Sequence, residues 1–289
     1  MKQHFVAFVA AVCVTVALGT QAWAQQPAGA LERIKASGTV NVAYSPDSLP
    51  FSFTGSSNAP AGYSIDLCKR VIAQIGNTLA QPNLKVNWVG ASTPERLQMV
   101  ASGKADLECA NTTQTLSRLA NVDFSSLIFI DAGAFLVRTD SSINRVSDLA
   151  GKKIAVLKGT TTETRLRALL QQSLVNATVV PVEQAGEGMT MLDASTVDAY
   201  AGDKIKLLGL VAQSSDPRRY QYLSEELSFE PYAFALPRND SALRLEVNRA
   251  LTQIYMSGEI ETIFMNWLGK LGRPSGLLAA MYLLYSIPQ

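Results

Sequence analysis

The sequence predicts an α/β protein of two lobes with similar wiring. Two runs of strand-helix-strand-helix-strand pattern carry that expectation, one from Val40 to Cys109 and one from Ile154 to Ala212. An extended apolar segment, Leu127 to Val137, lies between them, and a second, Tyr232 to Leu236, follows the second run.

Each element has a local reason. Leu31 to Ala36 reads as a short helix stopped by Gly38, and Val40 to Tyr44 alternates like a strand. Ser45 to Pro60 is rich in turn residues. From Gly62 to Leu79, Ile65, Cys68, Val71, Ile72 and Ile75 recur at helical spacing. Lys85 to Val89 reads as a strand. Ser92-Thr93-Pro94-Glu95 starts a helix with a capping box and a proline in the first turn. That helix stops at Gly103, and Ala105 to Cys109 is a strand. In the second run the strands are 154–157, 178–182 and 197–201, and the helices are 160–172, 188–194 and 204–212. Helices over 241–257 and 259–268 follow. The apolar stretch 277–285 is too short to span a membrane and is expected to pack on a lobe.

Composition narrows the function. The chain has 25 basic and 24 acidic residues among 289, which disfavours a nucleic-acid binder or a polybasic membrane-surface protein. At the N-terminus Lys2 and His4 precede an apolar run from Phe5 to Gly19, and Ala22-Trp23-Ala24 fits a cleavage site before Gln25. Residues 1–24 are therefore expected to be a secretory signal peptide. Cys13 lies behind Val12 rather than a small residue, so a lipoprotein is not expected. Removing residues 1–24 removes the only histidine and leaves equal numbers of acidic and basic groups. Catalysis by Ser-His-Asp or Cys-His arrangements and His-ligated zinc are thereby excluded. Cys68 and Cys109 remain, in an oxidising compartment where a disulfide persists. Sequence alone leaves them open between a bridge and two buried thiols.

Three polar features fall at strand ends, where ligands bind in open α/β sheets. Asn111-Thr112-Thr113 with Arg118 follows the strand ending at Cys109, and an Arg fork matches a carboxylate. The bland alternative is a surface turn. Lys158-Gly159-Thr160-Thr161-Thr162-Glu163 lies at a strand-to-helix junction, where free N–H groups favour an anion. The alternative there is simple N-capping, and the P-loop spacing is absent. Asp203 is either a partner for an ammonium group or a helix N-cap. Together the three describe a site for a zwitterion. Among the aromatics Phe51, Phe53, Tyr63 and Trp88, core packing is the expectation for Tyr63 and Trp88, and Phe51 stands between core and ligand platform.

The chain resembles the periplasmic amino-acid-binding proteins of ABC importers, the polar-amino-acid solute-binding family. The resemblance rests on Pro50-Phe51, Gly62-Tyr63-Ser64-Ile65-Asp66-Leu67, Gly103-Lys104-Ala105-Asp106-Leu107, Thr112-Thr113 with Arg118, and Asp123-Phe124-Ser125. Further on, it rests on the run from Asp148 to Val156, Gly159-Thr160-Thr161-Thr162-Glu163 and Asp203. Asp106-Leu107-Glu108-Cys109-Ala110-Asn111-Thr112-Thr113 looks like the glutamate/aspartate-binding branch. The resemblance implies a type II two-lobe clamshell with two crossover hinge strands. The implied division is 25–131 for the first part of lobe one, 132–229 for lobe two, and 230–289 for the return to lobe one with a C-terminal tail. It also implies site roles. Arg118 would grip the α-carboxylate with backbone N–H groups at Thr113 and Thr161. Asp203 would take the α-ammonium with the Asn111 carbonyl and the Thr113 hydroxyl. Thr162 would line lobe two, and Thr93 and Arg96 would reach the ligand side chain. Two positions depart from the acidic branch: Ser45 stands where it carries Arg, and Ala185 where it carries His. Both changes remove positive partners for a side-chain carboxylate. The implied protein is a periplasmic monomer that passes an L-amino acid to an inner-membrane permease, without a cofactor. The rival reading is an enzyme on the same fold, similar to cyclohexadienyl or arogenate dehydratases, with Glu108 and Asp203 as its acid-base candidates.

Overall fold

A computed structural model describes residues 29–288. The expected signal peptide, with His4 and Cys13, lies outside the described residues. The first lobe begins with α1 (Ala30–Ser37) and β1 (Thr39–Tyr44). A small three-stranded sheet follows, made of β2 (Asp47–Ser48), β3 (Ser52–Thr54) and β4 (Pro60–Ala61). The sequence suggested only turns there, because strands of two or three residues are too short to show alternation. Next come α2 (Tyr63–Thr78), β5 (Lys85–Gly90), α3 (Thr93–Ala101), β6 (Leu107–Glu108) and α4 (Leu116–Leu119). The capping box of α3 forms as expected, with Glu95 accepting from the Ser92 backbone. Gly62, at φ 127°, starts α2; an added Cβ would lie 2.3 Å from the Phe51 carbonyl oxygen, so only glycine fits.

β7 (Val122–Arg138) is a single strand of 17 residues. The second lobe then carries β8 (Lys153–Leu157), α5 (Thr161–Gln172), β9 (Thr178–Val182), α6 (Ala185–Asp193), β10 (Ala199–Asp203), α7 (Lys204–Gln213) and β11 (Tyr220–Tyr222). β12 (Ser228–Pro237) returns, followed by α8 (Ser241–Met256), α9 (Glu259–Leu268) and α10 (Gly276–Leu284).

One curled sheet runs through both lobes in the order β5, β1, β6, β12, β7, β10, β8, β9, with β11 also paired to β7. β5, β1 and β6 are parallel neighbours, as are β10, β8 and β9. Between these parallel blocks, β7 and β12 pair antiparallel from Ser228 opposite Gly133 to Pro237 opposite Val122. These two crossing strands join the lobes of a clamshell. Asp131 and Glu230 face each other in that register.

The lobe-one core packs α2, α8, α9 and α10 on the sheet, through residues such as Ile65, Val71, Leu107, Phe234, Leu251 and Phe264. The C-terminal apolar stretch contributes Leu278, Met281 and Tyr282 to it, as expected of a packed tail. In lobe two the strands alternate between two clusters: Ile154 and Val156 enter one and Ala155 the other. Strands buried on both faces read as continuous apolar runs, which is why these were legible. Cys68 on α2 and Cys109 just after β6 are joined as a disulfide, with Cα atoms 6.0 Å apart. Among the described residues no helix is long and apolar enough to cross a membrane.

Candidate functional site

The polar strand-end segments meet at the crossing strands. Thr115 caps α4 by accepting from the Arg118 backbone N–H at 3.2 Å. That short helix turns the Arg118 side chain back, and its Nη1 donates to the Thr113 carbonyl at 2.7 Å. Burial pulls the guanidinium below its ordinary pKa, while Glu108, Glu230 and Asp203 pull it back up. Arg118 is therefore a partly buried cation facing carboxylates from several elements.

Asp203 ends β10 at the N-cap position of α7, yet its side chain makes no capping bond. Its Oδ1 accepts from the Thr162 hydroxyl at 2.8 Å, and its Oδ2 from the Tyr232 hydroxyl at 2.8 Å and Asn111 Nδ2 at 3.3 Å. Lys206 Nζ lies 3.9 Å from the same Oδ2. One amide in the first turn of α7 is served instead by Asp131, whose Oδ2 accepts from the Ile205 N–H at 3.1 Å. Asp203 is thus not a side-chain cap of α7, and its oxygens are given to Thr162, Tyr232 and Asn111.

At α5 the cap is Thr160, which accepts from the Glu163 N–H. Thr161 and Thr162 are free to face the cleft. The Thr161 hydroxyl lies 3.3 Å from that of Thr113, and both donate to Glu230 Oε2. Ser228 donates to the other Glu230 oxygen. Burial and the nearby Asp203 raise the Glu230 pKa, against these three hydroxyls. Glu230 therefore links the Thr113 segment to the Thr161 segment from a crossing strand.

The outer part of the cleft is a groove of about 620 Å³. Ser45, Thr93 and Arg96 line it, together with Asp47, Lys158 and Glu183. Arg96 is 2% exposed and already engaged. Its Nε donates to Glu108 Oε1 at 2.8 Å, its Nη1 to the Ala91 carbonyl at 2.8 Å, and its Nη2 to the Thr93 hydroxyl at 3.2 Å. The Thr112 hydroxyl also donates to Glu108 Oε1, while Glu108 Oε2 is buried without a hydrogen-bond partner among the described residues. The Ser45 hydroxyl bonds Asp47 Oδ1 and the Ser48 hydroxyl.

The structure thus brings Asn111, Thr113, Arg118, Thr161, Thr162 and Asp203 together at the crossing strands, and Ser45, Thr93 and Arg96 along the outer groove. Phe51 is fully buried and packs edge-on against Tyr63, Phe129 and Tyr232. It touches the Asp203 network through Tyr232. Asp47, Asp131, Glu230, Tyr232 and Lys206 were not singled out from sequence. For Asp131 and Glu230 a signal existed: each is a carboxylate in or beside an apolar crossing segment, where an unpaired charge is costly.

The family model for bacterial extracellular solute-binding proteins, family 3, matches residues 40–270. The chain belongs to that family. It is 31% identical over 265 residues to an L-glutamate/L-aspartate-binding protein of Pseudomonas aeruginosa, covering 91% of this chain and 88% of the relative. A glutamine-binding protein of a Bacillus subtilis ABC transporter is 28% identical, covering 74% of each chain. Among solved structures, a cysteine-binding protein from Campylobacter jejuni superposes with a TM-score of 0.73 at 25% identity, over 88% of this chain and 98% of the other. These named relatives are binding proteins, not enzymes.

Proposed function

We propose that this chain is the periplasmic capture component of an amino-acid ABC importer. It takes an L-amino acid between its lobes, closes, and presents it to an inner-membrane permease. The observation that carries the reading is the meeting of Arg118 and Asp203. A cation from one side of the cleft and a carboxylate from the other, neither consumed by the helix it borders, match the two charges of an amino acid. In this reading Arg118 and the amides of Thr113 and Thr161 hold the α-carboxylate. Asp203 holds the α-ammonium with Asn111 and Thr113, and Thr162 orients Asp203. The hinge lies where β7 and β12 cross, at Asp131 and Glu230, which supports lobe boundaries near 131/132 and 229/230. A ligand touching both sides has differential affinity for the closed form and so drives closure.

The test is a thermal-shift panel of the amino acids on protein stripped of bound ligand by unfolding and refolding. A ligand at 1,000 times its Kd stabilises by about 4 kcal/mol, so one or a few should raise Tm by several degrees. Arg118→Ala should weaken that binding at least ~tenfold, because a charge-assisted bond contributes ~1.5–3 kcal/mol. No shift with any amino acid, or unchanged affinity in Arg118→Ala, overturns the reading.

A further inference from the structure

We infer that the outer groove selects an amino acid whose side chain donates hydrogen bonds and carries no negative charge: an amide, a hydroxyl or a cation. This rests on the capture reading above and adds the ligand class to it.

The argument is a charge inventory of the groove. Its lining holds two cations, Arg96 and Lys158, and three carboxylates, Asp47, Glu95 and Glu183. Lys158 is paired with Glu183 at 2.7 Å. Arg96 is paired with Glu108 at 2.8 Å, with both side chains out of water at 3% and 0% exposure. Glu95 is held by the backbone and hydroxyl of Ser92. Each cation is thus already matched by a carboxylate. Asp47 is held by neutral donors, not by a cation: the Ser45 hydroxyl at 3.1 Å and the Ala185 N–H at 3.1 Å.

The Asp47 contact reaches across the cleft, from β2 to the first residue of α6. A helix N-terminus favours an anion, and here Asp47 already takes the Ala185 amide beside the groove. A ligand carboxylate entering here would meet an anion already in place and two neutralised cations, so its lost hydration would go uncompensated. A side chain with donors meets the opposite situation. Asp47, which lines the groove, keeps acceptor capacity beyond its two bonds from neutral donors.

The experiment measures Kd by calorimetry for glutamate, aspartate, glutamine, asparagine, serine and arginine on the stripped full chain. The expected result is binding of at least one uncharged or cationic ligand ~tenfold or more tighter than glutamate and aspartate, as sites built of unmatched acceptors discriminate. Asp47→Asn removes the seated anion and should move the glutamate-to-glutamine affinity ratio ~tenfold toward glutamate. Tight glutamate or aspartate binding would overturn this inference and leave the capture reading standing. An unmoved ratio in a folded Asp47→Asn protein would overturn the role of Asp47. Binding of none of the amino acids would instead overturn the capture reading itself.

Discussion

The two ends of the cleft are built differently. At the hinge end, Asp131, Asp203 and Glu230 each accept three hydrogen bonds, from donors on both crossing strands and both lobes. At the outer end, a groove of about 620 Å³ is walled by ion pairs that satisfy themselves. A densely cross-linked end can read only what all its ligands share. A roomy end whose two cations are already paired, and whose Asp47 is held only by neutral donors, leaves variation to the ligand side chain. Changes at the hinge end should therefore weaken all ligands in proportion, and changes at the outer end should alter their ratios.

The largest effect is expected where the two ends share a support. β6 carries Glu108, the buried partner of Arg96 in the outer groove, and the segment from Cys109 leads to Asn111 and Thr113 of the hinge end. The disulfide ties this wall to α2. Replacing both cysteines by serine should lower stability by ~2–4 kcal/mol in urea denaturation. A loss within error would show that packing alone holds the wall shared by the two ends.

Asp203→Asn keeps the shape of the hinge end and removes its charge. Affinity should fall at least ~tenfold, as expected for a charge-assisted bond. The fall should be the same factor for every amino acid bound. A ligand-dependent factor, measured by calorimetry, would break the division between the ends.

A third change acts on closure and on neither end directly. Gly209 lies within α7, and an added Cβ would sit 2.8 Å from the Leu49 carbonyl oxygen across the cleft. With the lobes apart, alanine there is a better helix former than glycine by ~0.5–1 kcal/mol. Gly209→Ala should therefore leave the ligand-free Tm unchanged or raised, yet weaken binding by ~fivefold, the equivalent of about 1 kcal/mol of closure strain. Parallel melting and binding curves check it. Loss of both together would point to a folding defect in α7.

The sequence carried the fold further than it carried the site. Buried strands such as 154–157 and helices such as α2 were visible because periodicity is a property of neighbouring residues. β2 to β4 were not, since their pairing is set by contacts that two residues cannot advertise. The same limit applied to the cleft. Arg118, Thr161 and Asp203 stood out at strand ends, whereas Glu230 acts only because folding brings the hydroxyls of Thr113 and Thr161 to one carboxylate. Arg96 shows the reverse case. The family resemblance placed it at the ligand side chain, and only the fold reveals Glu108 as its partner.

Asp131 gives the smallest and most local test of the hinge end. Burial, and then the charge of Asp203, raise its pKa from 3.8 to about 7, against bonds from the Ala132 and Ile205 amides and Tyr232. The raised value means that the folded protein keeps a proton that the unfolded chain has lost between those two pH values. The group's contribution is complete below pH ~3.9 and is lost as pH rises to about 7, at up to roughly 1.4 kcal/mol per unit. Asp131→Asn cannot titrate. The stability of the native chain relative to this variant should therefore fall by about 1 kcal/mol from pH 5.5 to 6.5 and be flat above pH ~8. Urea melts at the three pH values measure it. A difference that stays level through the window would mean that Asp131 is ionised in the folded protein. The Asp131 carboxylate would then sit as a charge beside Tyr232, within the hydrogen-bonded network of the hinge end. An incoming ammonium would then be drawn by Asp131 as well as by Asp203, through the Tyr232 hydroxyl that both accept from.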